Sequence, residues 1–316
     1  MHRGRTLVWV SSLLALTLAF GCKRVMREVA QKAEDEISAP SDEDRATSLY
    51  ATGFNALIDD PQDLIETYFR SIPVAGPTGK ERYSFMRSHT FAETKLAEAR
   101  KAFDEAKKLG PESLAHIVPL ADEALAQIAT VTTRYAEAKK YYDAEDYKDD
   151  QLAKGKALHA QIVQAAEAFQ TAIRKLESEL SKVEDKRMQA EIAELGGDKS
   201  YPYMHRILNF KASQLLRASP ANFAASYAAF EASYQELQKF SSGRGAELNT
   251  TFKSYIHQVD DFYGDAKKLR RALEASKPGE EPRDLDNLRE QLTSSYNTLV
   301  SYGNSMRQLE ANDLLK

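Results

Sequence analysis

Two stretches decide the fold: Leu125–Tyr142, LAQIATVTTRYAEAKKYY, and Leu158–Val183, LHAQIVQAAEAFQTAIRKLESELSKV. Continued back to Leu114, the first places Leu114, Ile117, Ala121, Leu125, Ile128, Thr132, Tyr135, Ala138 and Tyr142 at steps of three and four. The second repeats the spacing with Leu158, Ile162, Ala165, Phe169, Ile173, Leu176, Leu180 and Val183. Such steps put each set on one face of an α-helix. Each pattern covers about 40 residues, roughly 60 Å at 1.5 Å per residue. Only the corner AKKYYDAEDYKDDQLAKGKALHA, Ala138–Ala160, separates them, so the two are expected to pack as an antiparallel hairpin.

Outward from this hairpin the same period continues. Leu64, Ile65, Tyr68 and Phe69 give a helix after Asp60-Pro61, an N-cap followed by proline. Pro73–Arg82 reads as a loop, and Tyr83–Leu109 as a helix ended by Gly110-Pro111. Pro119 falls within the second turn of the first long helix and is a candidate kink. Toward the C-terminus, Ser219-Pro220 restarts a helix with an aromatic stripe, Phe223, Tyr227, Phe230 and Tyr234. Leu248–Leu273 and Leu285–Leu309 complete the set. No strand alternation or hairpin turn signal occurs. The expectation is an all-α, elongated antiparallel bundle of about six helices, a single domain over residues 49–312 with the two long helices at its centre.

Composition agrees. The 316 residues are 42% apolar and 28% charged, with net charge −4 and bases interspersed among acids. No basic block stands in the body, which sets nucleic-acid binding aside. The single cysteine, Cys22, forms no intramolecular disulfide and leaves a cysteine metal site without partners.

Residues 1–21 read as an address. Arg3 and Arg5 precede Leu7–Phe20, 14 residues without a charge, shorter than a membrane span. The end, Leu18-Ala19-Phe20-Gly21-Cys22, resembles the lipobox of bacterial lipoproteins, with Gly21 and Cys22 matching and the leucine offset by one residue. That resemblance implies acylation of Cys22, cleavage before it, and a mature chain with 41 bases against 47 acids. Multiple acyl chains hold a protein on a membrane stably, because each buried CH₂ contributes roughly 0.8 kcal/mol. Lys23 after the cysteine points, by resemblance to the Gram-negative sorting rule, to an outer-membrane lipoprotein facing the periplasm. Residues 22–48 are polar and charged and read as a tether.

Three segments resemble the YiiG-like family of bacterial lipoproteins that carry a domain of unknown function. They are Phe54–Ile58 leading into Leu64–Phe69, the corner, and Tyr296-Asn297 with Asn304. The corner is the specific part: Tyr141, Tyr142, Asp146, Tyr147, Asp149, Asp150 and His159 stand there, with Ala153-Lys154-Gly155-Lys156. The resemblance implies an all-α periplasmic domain and carries no catalytic residue.

The chemistry of the corner has sharp and plain readings. Asp143, Glu145, Asp146, Asp149 and Asp150 are oxygen ligands of the kind Ca²⁺ takes, but no glycine stands at the sixth position of an EF-hand spacing counted from Asp143 or from Asp146. The plain reading is a helix end, a short turn and an N-cap with acids in the first turn. His159 has no His-x₃-His or His-x₂-Glu companion and is expected to bond a tyrosine or an acid of the corner. No nucleophile elbow or phosphate loop is present, and no cofactor or metal is implied. The expected role is a non-enzymatic, membrane-anchored module binding an envelope protein or polymer. The alternative is a small-molecule or metal pocket between helices.

Overall fold

A computed structural model describes residues 41–81, 83, 90–196, 200–242, 250–276 and 282–311. Regular structure among them is helical throughout, as the periodicity requires. The helices are α1 Asp42–Ile58, α2 Asp60–Ser71, α3 Thr90–Leu109, α4 Ile117–Asp143, α5 Ala153–Glu194, α6 Tyr201–Leu216, α7 Pro220–Ser242, α8 Thr250–Ala275 and α9 Leu285–Ala311. That makes nine among the described residues, where about six were expected. Short helices such as α2 and α6 stand apart because prolines early in each, Pro61 and Pro202, restart the chain.

Other boundaries also move. α1 begins inside the stretch read as tether: Ser41 Oγ accepts from the Asp44 amide at 3.1 Å, and Asp42, Glu43 and Asp44 fill the first turn. Ala46 and Thr47 are already buried. Residues 1–21, Cys22 and the rest of the tether lie outside the described residues. α3 begins at Thr90, so Tyr83 is not on it. The first long helix is shorter than expected. A 3₁₀ turn, Glu112–Leu114, precedes α4, which has 27 residues. Pro119 is its third residue, where the missing N–H has no intrahelical acceptor anyway, so no kink is called for. α5 has 42 residues, close to expectation. Among the described residues, no helix is long and apolar enough to cross a membrane.

A single domain was expected over residues 49–312; by packing, the chain falls into two compact units, within Cys22–Glu184 and within Asp185–Lys316. In the first, α1 lies against α3 so closely that a Cβ on Gly53 would collide with the Phe103 ring. α4 and the first part of α5 run antiparallel. Tyr142 meets Gly155, Glu123 meets Lys175 at 3.5 Å and His116 meets Glu179 at 3.9 Å, so numbers rise on one helix as they fall on the other.

In the second unit α6, α7, α8 and α9 form a ring, each packed on the next and α9 closing on α6. The aromatic stripes meet across it, Phe240 with Phe252 and Phe230 with Phe262 at 5.0 Å. Tyr227, Phe230, Phe252, Tyr255 and Phe262 are fully buried, and each such burial contributes roughly 1.5–3 kcal/mol.

Candidate functional site

The corner is built from the C-terminal end of α4, a 3₁₀ turn at Asp146–Lys148, the N-terminal end of α5, and the loop from Pro73 to Glu81 that lies over it. The chain turns with three non-glycine residues in the left-handed region: Glu145 at φ 58°, Gln151 at 54° and Leu152 at 67°. No other described non-glycine residue adopts a positive φ. For a residue as bulky as leucine this conformation is strained. Gly76 and Gly79 in the loop, at φ 108° and 84°, adopt it freely.

Asp150 closes the turn. Its carboxylate accepts from the Tyr141 hydroxyl at 2.7 Å and from the Lys154 amide at 2.9 Å, at the start of α5. The tyrosine hydrogen bond, then the amide, hold this carboxyl below its ordinary range. Burial, then the Asp150 hydrogen bond, push the Tyr141 phenol up to about 12.

Tyr142 is packed between rings. Tyr83 stacks on it at 4.0 Å and 13°, Tyr141 meets it edge-on at 4.9 Å, and Tyr147 lies 4.9 Å from Tyr83. Tyr142 is only 2% exposed, and its hydroxyl has no hydrogen-bond partner among the described residues. A Cβ on Gly155 would reach within 2.8 Å of that oxygen. Burial first, then neighbouring phenols and carboxylates, raise its pKa.

His159 belongs to a second set. Its Nε2 lies 2.9 Å from the Val74 carbonyl, which only accepts, so Nε2 carries the proton. Nδ1 therefore accepts from the Tyr68 hydroxyl at 3.1 Å. The partner is a tyrosine, as expected, but it comes from α2 rather than from the corner. Burial first raises the Tyr68 pKa.

Of the residues singled out from the sequence, Tyr141, Tyr142, Tyr147 and Asp150 come together. His159 faces α2 and the loop, and Asp146 and Asp149 stand exposed. Among the described residues no group of three or more His, Cys, Asp or Glu converges as metal ligands.

Glu81 and Tyr83 were missed. The Glu81 carboxylate accepts from the Thr78 amide and hydroxyl at 2.9 and 2.8 Å, the Gly79 amide at 2.9 Å and the Tyr83 hydroxyl at 2.9 Å. Burial opposes ionisation, but the Thr78 and Tyr83 hydrogen bonds outweigh it and draw the carboxyl down to about 2. The signal was present: Thr78-x-x-Glu81 is a capping-box pattern, with the glutamate reaching back to the threonine amide.

A second tyrosine cluster lies on α7 and α8. Tyr227 and Tyr263 both donate to Glu231, at 3.1 and 2.6 Å, and Tyr234 donates to Asp260 at 2.9 Å. Tyr234 stacks on Tyr263 at 4.2 Å, and the Arg270 guanidinium lies 4.5 Å over Tyr227. The Tyr263 hydroxyl, chiefly, holds the Glu231 carboxyl below its ordinary range. Elsewhere in that unit a cavity of about 10 Å³, room for roughly one water, lies among Leu216, Phe223, Leu269 and Leu292.

The family described as "Protein of unknown function (DUF3829)" matches residues 47–306, most of the chain. The chain belongs to that family. It is 28% identical over 206 residues to "Uncharacterized protein YiiG" of Escherichia coli (strain K12), covering 64% of this chain and 58% of that protein. The match thus spans less than two thirds of that relative's length. No solved structure matches the chain.

Proposed function

We propose that this chain is a lipid-anchored cell-envelope protein, held on the outer membrane through Cys22, whose helical body binds another protein or an envelope polymer without chemical turnover. The binding surface is the corner. The observation that carries this reading is a coincidence of three departures from stable folding at one place. The left-handed Glu145, Gln151 and Leu152 are there. So is Val74, at 38% exposure the large apolar side chain most open to solvent among the described residues. So is the buried, unpaired Tyr142 hydroxyl. Strained or unsatisfied groups persist where binding makes use of them. The groups suited to acid–base chemistry are engaged in holding the corner: His159 between Tyr68 and Val74, Asp150 by Tyr141, Glu81 by Thr78 and Tyr83.

The test is capture from envelope extract by the full chain, beside a variant carrying Asp146→Lys and Asp149→Lys, two exposed acids of the corner. A specific component retained by the wild type and lost by the variant is expected. Equal capture by both, or none, removes the corner as the binding surface. The anchor is tested by Cys22→Ala, which should release the protein from the membrane fraction; continued membrane association at unchanged size contradicts lipidation.

A further inference from the structure

We draw no further inference here: the strongest candidate, the buried Tyr142 hydroxyl packed among the tyrosine rings of the corner, belongs to the site already described, and nothing among the described residues shows what would pair with it.

Discussion

The chain holds two tyrosine clusters that read alike in the sequence and differ in the folded state. On α7 and α8 each hydroxyl of Tyr227, Tyr263 and Tyr234 ends on a carboxylate, Glu231 or Asp260. At the corner Tyr141 and Tyr83 end on Asp150 and Glu81, but Tyr142, at 2% exposure, ends on nothing among the described residues. The first cluster is what helix packing makes of amphipathic rings, apolar body inward and hydroxyl at the rim. The second retains a defect that packing alone would remove, since phenylalanine would fill the same space without the cost of an unbonded hydroxyl. Satisfied aromatic clusters therefore belong to the scaffold. The unsatisfied one is the place the proposed binding role rests on.

The contrast can be broken most forcefully from the satisfied side. Glu231→Ala strips the acceptor from Tyr227 and Tyr263 together and should lower stability by about 2 kcal/mol, read from the urea midpoint. At the corner, Tyr68→Phe leaves the buried His159 Nδ1 without its donor and should cost about 1–2 kcal/mol. Acid sharpens the comparison with a smaller effect. The Glu81 carboxyl is drawn from the ordinary 4.5 to about 2 in the folded chain, so its contribution is complete above pH 4.5 and is lost as the pH falls toward 2. Glu81→Gln should flatten that part of the stability profile, seen as a melting temperature less dependent on pH between 4.5 and 2. A Glu81→Gln profile as steep as the wild type in that window would contradict the nest of hydrogen bonds around the carboxylate.

Much of the fold was legible because it rests on local chemistry. The stripes from Ile117 to Tyr142 and from Leu158 to Leu180 are buried where the spacing placed them. Helix stops and starts followed their punctuation: α3 ends at Leu109 before a left-handed Gly110, and α7 starts at Pro220. The corner was legible as a place and not as an arrangement. Its turn is made by Glu145, Gln151 and Leu152 in a conformation usually advertised by glycine, so the local pattern conceals it. The bond from Tyr68 to His159 spans 91 positions, and the stacking of Tyr83 on Tyr142 depends on a loop with no period to read. Long-range side-chain pairs of this kind leave no trace in spacing. The left boundary of α1 was missed for a different reason: Ser41 and the acids after it form an N-cap signature that resembles a charged tether until Ala46 and Thr47 are seen to be buried.

The most direct measurement is the thermal unfolding of Tyr142→Phe beside Tyr227→Phe in the full chain. Tyr227→Phe removes a hydrogen bond to Glu231 and should lower the transition by a few degrees, the equivalent of about 1 kcal/mol. Tyr142→Phe removes a buried hydroxyl that bonds nothing among the described residues and should leave the transition unchanged or raise it. An equal loss in both variants would contradict the account, because it would mean that the Tyr142 hydroxyl serves the fold and is not held in reserve for a ligand.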